Sequence, residues 1–174
     1  MTYHGHGLGR PARFLLRSRA GWRCFLGLVA AGAIAVSALP AGTAFAGSLT
    51  LQLSPGNILF PDASPDLVPV IGPVSVLVTV KAVGQPGYPW LLTLVANSDL
   101  RSGPDVIPIS ALSWTASPNP PFSGGTLSVV TPRVVGSGIA HINTVARFDF
   151  TMLNSWGYNA GTYTATATFT LSAP

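Results

Sequence analysis

The sequence has few charged residues, and glutamate is missing altogether. Charged side chains make up 8% of its 174 residues, against roughly 25% in an ordinary soluble domain. The formal net charge of +4 is unevenly distributed, because five of the nine basic residues lie between residues 10 and 23 and all five acidic residues lie beyond them. The rest of the chain carries four cations against five anions, a net charge of −1. This balance excludes a basic surface for binding nucleic acid.

Cysteine and histidine are also scarce, which limits catalytic chemistry. The single cysteine is Cys24, so a disulfide framework is excluded. Beyond residue 46 the only histidine is His141, and no G-x-S-x-G elbow accompanies it. We therefore predict that His141 is a strand-end residue rather than the base of a Ser-His-Asp site.

The aspartates fall mainly in two loops rich in proline, glycine and serine. Asp62 and Asp66 lie in the first loop, and Asp99 and Asp105 lie in the second. Neither loop matches the D-x-[DN]-x-[DN]-G pattern of a calcium loop, and aspartates in such loops commonly cap turns. A calcium ion on the loop from Asn97 to Asp105 stays an open alternative. We predict no catalytic residue, no metal ligand and no cofactor, and hence no enzyme.

The first 46 residues have the order of a secretory signal peptide. Arginines up to Arg23 precede an apolar run over residues 24–39, and small residues follow that end in Ala44-Phe45-Ala46. This is the order of a basic n-region, an h-region and an A-x-A cleavage site. The apolar run is shorter than the ~20 residues of a membrane-spanning helix. We predict cleavage after Ala46 and a secreted domain of residues 47–174 with no stable membrane anchor and no thiol.

Beyond residue 46 the hydrophobic pattern has a period of two residues, as in β-strands. In the last run, apolar residues from Tyr163 to Leu171 alternate with threonines from Thr162 to Thr170. The same alternation occurs at residues 74–80, 90–96, 112–116 and 146–152. Shorter strands are predicted near residues 49–53, 57–60, 107–109 and 126–130. The pattern predicts an all-β fold, an antiparallel immunoglobulin-like sandwich of about seven to nine strands.

Clusters of glycine, proline, asparagine and aspartate separate these runs and predict turns or loops. They include Ser102-Gly103-Pro104-Asp105, Pro118-Asn119-Pro120-Pro121 and Gly136-Ser137-Gly138. We interpret the last of these as a flexible turn.

The stretch Asn159-Ala160-Gly161-Thr162-Tyr163-Thr164-Ala165 resembles the D-x-G-x-Y-x-C motif of immunoglobulin-like domains. In that motif the tyrosine hydroxyl bonds to the backbone at a corner of the sandwich. The resemblance implies this role for Tyr163. Ala165 occupies the position of the motif's cysteine.

Two segments also resemble the signatures of WxL-type bacterial cell-surface domains. The first is the W-x-L strand with Trp90 and Leu92, and the second is the C-terminal strand with Tyr163, Phe169 and Leu171. Phe169 stands where those families have a second tryptophan. The resemblance implies a non-catalytic module that is held at the cell envelope by contacts with glycan or with other proteins.

Aromatic residues outside the core are candidates for ligand binding. Trp90 and Trp114 fall on apolar strand faces, so we predict them in the core. Trp156 and Tyr158 share one predicted loop, and together with Tyr88 they are candidates for stacking on a sugar. The alternative for these three is a loop that folds back over the end of the sandwich.

The C-terminal strand is uncharged from residue 162 to 171. If it lies at a sheet edge, nothing in it opposes pairing with another chain, and self-association is expected.

The sequence predicts a secreted, cell-wall-associated structural or adhesive module that contacts envelope polysaccharide or surface proteins. The alternative is a carbohydrate-binding domain with a defined sugar site.

Overall fold

Strands account for most of the fold. The computed structural model describes residues 23–30, as backbone only, and residues 47–84, 87–139 and 141–173. The strands within these ranges are β1 (Arg23–Ala30), β2 (Ser48–Ser54), β3 (Asn57–Phe60), β4 (Val70–Val83), β5 (Pro89–Ala96), β6 (Leu100–Ser102), β7 (Asp105–Ile107), β8 (Leu112–Ser117), β9 (Gly125–Thr126), β10 (Arg133–Ile139), β11 (Ile142–Leu153) and β12 (Thr162–Ser172). One 3₁₀ helix, Ile109–Ala111, precedes β8.

The strands form two sheets that pack face to face. Sheet A has the order β10-β5-β12-β1-β3, and the β6–β7 hairpin joins it through β12. Sheet B has the order β2-β4-β11-β8-β9. Every strand pair among the described residues is antiparallel except β1 with β12, which is parallel. The predicted antiparallel β-sandwich is therefore confirmed.

The core follows the predicted alternation strand by strand. On β11, Ala146, Phe148, Phe150 and Met152 are completely buried. The buried residues on the other predicted runs include Val76, Val78, Val80, Trp90, Leu92, Leu94, Ala96, Leu112, Trp114, Tyr163, Ala165, Ala167, Phe169 and Leu171. Trp90 and Trp114 are thus core residues, as predicted.

Aromatic rings connect the two sheets across this core. Trp90 of sheet A lies 6.0 Å from Phe122, measured between ring centroids, and Phe122 lies 6.0 Å from Phe148 of sheet B. Phe148 in turn makes an edge-to-face contact with Phe169 of sheet A at 5.5 Å. These are favourable separations for aromatic pairs, so Phe122, from the loop after β8, fills the space between the sheets.

The interpretation of Gly136-Ser137-Gly138 as a flexible turn is wrong, because all three residues belong to strand β10. A Cβ atom on Gly136 would lie 2.7 Å from Cδ1 of Phe122, and one on Gly138 would lie 2.9 Å from Nε1 of Trp90. The glycines therefore let the strand backbone approach two core aromatic rings. In β10, glycine allows the backbone to lie close to the core rings, although a Gly-Ser-Gly stretch in a sequence usually indicates a turn.

Other boundaries also differ from the prediction. The strand expected at residues 107–109 ends at Ile107 and is followed by the 3₁₀ helix, and the strand expected at 126–130 is reduced to Gly125–Thr126. Strands β6 and β10 were not predicted, so the count beyond residue 46 is eleven rather than seven to nine. His141 lies immediately before β11, at a strand end as predicted.

The predicted cleavage site at residues 44–46 lies outside the described residues. Residues 23–30 of the predicted signal peptide are described as strand β1, which lies between β12 and β3. With β1 in place, the C-terminal strand β12 is an inner strand of sheet A and not an edge strand.

Candidate functional site

The most exposed aromatic side chain of the described residues lies at one end of the sandwich, where β11 ends and β12 begins. Trp156 belongs to the loop between these strands and is 55% exposed. Two other segments reach the same end of the molecule, the loop between β3 and β4 and the β6–β7 hairpin. They are joined to the β11–β12 loop by side-chain hydrogen bonds, so the three segments form one surface.

Asn154 anchors the β11–β12 loop to the loop between β3 and β4. Its backbone N–H donates to the carbonyl of Pro69 at 2.8 Å, and its side-chain Nδ2 donates to the carbonyls of Ala63 and Val68 at 3.1 and 3.0 Å. The side chain is 5% exposed, and its Oδ1 atom is buried with no hydrogen-bond partner among the described residues. A buried amide of this kind holds loop carbonyls that would otherwise be unsatisfied.

The indole of Trp156 is held at its polar edge. Its Nε1 donates to Oδ1 of Asp66 at 2.8 Å. Below it, residues 155–158 form a tight turn in which the N–H of Tyr158 donates to the carbonyl of Ser155 at 3.1 Å, and the N–H of Gly157 donates to the Ser155 hydroxyl at 3.1 Å. The arrangement fixes an aromatic ring beside a carboxylate while leaving more than half of the tryptophan in solvent.

Exposed aliphatic side chains occur at the same end of the sandwich. We call them, together with the tryptophan, the Trp156 patch: Leu67, Val68, Val70, Leu153 and Trp156. Leu67 is 83% exposed and Leu153 is 52% exposed. Val70 and Leu153 are register partners on β4 and β11, so their side chains lie on the same side of sheet B. A group of exposed apolar residues indicates a contact surface.

The structure brings together two of the three predicted ligand-binding residues. Trp156 and Tyr158 share the β11–β12 loop, but Tyr158 is half-buried and packs against the hydrophobic core, as in the alternative of a loop folded over the end of the sandwich. Tyr88 precedes β5, whose first residues pair with the last residues of β12, as in Leu91 with Ser172. Tyr88 therefore lies near the opposite end of β12, roughly 30 Å away along the strand, and cannot share a site with the other two.

Polar residues in the predicted Asn97–Asp105 loop support the fold. Oδ1 of Asp99 accepts a hydrogen bond from the N–H of Ile109 at 2.8 Å, at the start of the 3₁₀ helix. Asp105 accepts one from Nδ2 of Asn159 at 2.6 Å, which links the β6–β7 hairpin to the β11–β12 loop. The Asp99 bond reaches an N–H ten residues further along the chain, so it joins two segments and is not a cap of the turn that contains Asp99. In residues 47–84, 87–139 and 141–173 no cluster of three or more His, Cys, Asp or Glu side chains has the spacing of a metal site.

The predicted corner role of Tyr163 is also confirmed. Its hydroxyl donates to the backbone carbonyl of Asn159 at 2.8 Å, and the residue is 1% exposed. This bond closes the β11–β12 loop at its C-terminal end. It therefore helps to hold the loop that carries Trp156.

An ion pair between Arg147 and Asp149 lies on the outer face of sheet B. Nε of Arg147 donates to both carboxylate oxygens of Asp149, at 2.8 and 3.0 Å, and the Ser75 hydroxyl donates to Oδ1 at 2.5 Å. The hydrogen bond from Arg147 is the main reason why the pKa of Asp149 lies below its usual value of 3.8. Arg147 and Asp149 are two positions apart on β11, so both side chains lie on the solvent side of the strand.

Sequence reasoning missed Asp66 and Asn154 as members of the site. Asp66 contacts Trp156 across 90 positions of sequence, and no local pattern indicates such a pair. Asn154 directly follows the last strand residue, Leu153, where an amide is as typical of an ordinary turn as of an anchor.

Comparisons add no family to this description. No protein-family model matches the chain, and a search of curated proteins finds no significant match. Within the described residues, no helix has the length and apolar character needed to cross a membrane. The protein is a two-sheet β-sandwich. The end of the sandwich with the β11–β12 loop carries an exposed aromatic and aliphatic surface.

Proposed function

We propose that the protein is a secreted, non-catalytic structural or adhesive module that contacts envelope polysaccharide or surface proteins through the Trp156 patch. The observation that carries this proposal is the exposed indole whose N–H is fixed by Asp66. A ring fixed in this way loses little conformational freedom when it binds, which favours affinity.

The chemistry of the patch suits a glycan. The flat face of an indole packs against the apolar face of a sugar ring, and an adjacent carboxylate accepts hydrogen bonds from hydroxyl groups. Asp66 supplies that carboxylate beside Trp156. The alternative proposal, a carbohydrate-binding domain with a defined sugar site, is favoured by this same pair. The aliphatic members Leu67 and Leu153, in contrast, favour a broader contact that includes protein.

The positions of the titratable groups support a non-catalytic role. Asp66 and Asp105 at the loop end each accept a hydrogen bond from a side chain of the β11–β12 loop. Ser137 lies on β10 with its side chain in solvent, and His141 is also exposed. Neither of them lies in the loops that carry the Trp156 patch.

Binding to purified cell wall tests the proposal. Trp156→Ala should reduce retention on the wall about tenfold or more, as is typical when a central aromatic contact is removed. Leu77→Ala is the matched control, since Leu77 is 45% exposed on the outer face of sheet B, away from the loop end. Tyr88→Ala should also bind normally because Tyr88 lies at the other end. Equal retention of wild type and Trp156→Ala would contradict the proposal.

Competition separates the two forms of the proposal. If a soluble oligosaccharide from the same wall displaces the protein, the patch holds a defined sugar site. If protease treatment of the wall abolishes binding and oligosaccharide has no effect, the partner is a surface protein.

A further inference from the structure

Strand β1 occupies an inner position of sheet A although it belongs to the predicted signal peptide. It runs parallel to β12, with Arg23 opposite Thr162 and Ala30 opposite Phe169. On its other side it runs antiparallel to β3, from Cys24 opposite Phe60 to Gly27 opposite Asn57. Among the described residues β3 has no other strand partner, so β1 connects β3 to the rest of the sheet.

Cleavage after Ala46 would remove this entire strand. The backbone N–H and C=O groups of β12 and β3 that face β1 would then be unpaired, and unpaired edges of this kind readily accept another strand. Beside the gap lie Tyr163, Ala165 and Ala167, which are buried in the intact chain. We call this gap the vacated strand position. It is about eight residues long on the β12 side.

We propose that in the secreted protein strand β2 of a second copy of this chain fills the vacated strand position. The segment Ser48–Ser54 is uncharged, and Leu49, Leu51 and Leu53 alternate with exposed polar residues along it. That alternation matches a position with a buried side and a solvent side. The β12 residues that would pair with it, 162 to 169, also carry no charge, so no repulsion opposes the pairing.

β2 is also the strand that the domain can release most easily. It is the first strand after the predicted cleavage site, and it lies at the edge of sheet B, where it pairs only with β4. None of its residues is fully buried. In the vacated position the same strand would have a neighbour on each side, and exchange of a terminal element between identical chains is a common route to dimers.

The link between β2 and β3 disfavours the same exchange within one chain. Only Pro55 and Gly56 separate the two strands, so β2 would have to fold onto β3 as a two-residue hairpin. The turns that suit such hairpins, types I′ and II′, need a positive φ at the first loop residue. Proline holds φ at about −65° and cannot adopt it. A strand from a second copy does not need this turn.

Engineered cysteines test the proposal in the secreted protein produced from the full-length gene. Mass spectrometry first establishes whether the secreted form begins at Gly47, which also removes the only cysteine. Thr50→Cys is then combined with Thr166→Cys or Thr164→Cys, two acceptor positions on β12 that cover a register shift of two residues. Paired residues on neighbouring strands are close enough for a disulfide. The control combines Thr50→Cys with Thr115→Cys, an exposed residue of β8.

The expected result is a disulfide between chains, with twice the monomer mass in sedimentation velocity, for at least one acceptor position but not for the control. A disulfide within one chain in a monomeric protein would overturn the proposal, because β2 would then fill its own chain's position. A monomer whose engineered cysteines stay reduced would overturn it too, as would a secreted form that retains residues 23–30. None of these results depends on Trp156, so they are independent of the proposed glycan contact.

Discussion

Gly136→Ala tests whether strand β10 lies against the core aromatic rings. The added Cβ would lie 2.7 Å from Cδ1 and 3.1 Å from Cε1 of Phe122, and 3.4 Å from Cη2 of Trp90. Favourable carbon contacts begin near 3.5 Å. Phe122 has little room to move, because it is 1% exposed and is enclosed by Trp90 and Phe148 at centroid distances of 6.0 Å.

Two opposing effects set the expected magnitude. Overpacking a tight core costs about 1–3 kcal/mol, and replacing glycine by alanine stabilises by about 0.4–1 kcal/mol through the unfolded chain. Since the steric term is larger, Gly136→Ala should lower the free energy of unfolding by about 0.5–2 kcal/mol. In a domain of this size the melting temperature should fall by roughly 2–8 °C.

Thermal and urea denaturation of the protein measure this change. Ser137→Ala is the matched control because Ser137 is the next residue of the same strand and its side chain is exposed. We expect its effect to stay within about 0.5 kcal/mol. If Gly136→Ala raised the melting temperature, the segment would behave as a flexible turn, and the close approach of β10 to Phe122 would be refuted.

Three further predictions follow from described contacts. Tyr163→Phe should lower the free energy of unfolding by about 0.5–1.5 kcal/mol, because its hydroxyl donates to the Asn159 carbonyl; an unchanged denaturation midpoint would leave the ring with a packing role only. Asp149→Asn should reduce the melting temperature at neutral pH, where the carboxylate is ionised and hydrogen-bonded by Arg147. Because the pKa of Asp149 is lowered on folding, its contribution is complete above the usual value of 3.8 and is lost as the pH falls through the folded value, so the difference between wild type and variant should disappear in acid. A difference that persists there would mean that the charge is not its origin. Thr166→Lys should weaken self-association while the monomer stays folded, since the added charge lies on the solvent side of β12; sedimentation velocity checks the first result and circular dichroism the second.

The two proposals concern different parts of the molecule. The Trp156 patch lies at one loop end, whereas the vacated strand position runs along the side of sheet A between β12 and β3. A module that uses both would assemble through its strands and present one glycan-contacting end per copy. Measuring wall binding of the assembled and monomeric forms would show whether assembly increases retention, as expected for several linked contacts.

The period-two pattern was sufficient for most of the strands and for the core. Each run with clear alternation became a strand, and most apolar residues on its inward face are buried, because a strand with one buried face forces side chains to alternate between core and solvent. Where the pattern failed to predict a strand, the reason is also physical. Strand β10 has only a weak alternation, since glycines occupy positions where large side chains would collide with Phe122 and Trp90.

The candidate site was only partly predictable. Trp156 and Tyr158 were identified because aromatic residues in a loop have no strand face to bury them. Their separation from Tyr88 could not be predicted, since it depends on β5 running antiparallel to β12. The partnership of Trp156 with Asp66 depends on two loops that meet only when β4 pairs with β11.

By itself, the sequence determined the fold class, the identity of the core residues and the corner role of Tyr163, because each of these depends on the spacing of neighbouring residues along one strand. Tertiary structure alone decided which strands share a sheet, which loops meet at the Trp156 patch and which strand lies beside β12. These features arise from pairings between residues far apart in the chain. Hydrogen bonds between backbones are nearly the same for any two strands, so their order is set by how the side chains of both sheets fit together, which no local pattern contains.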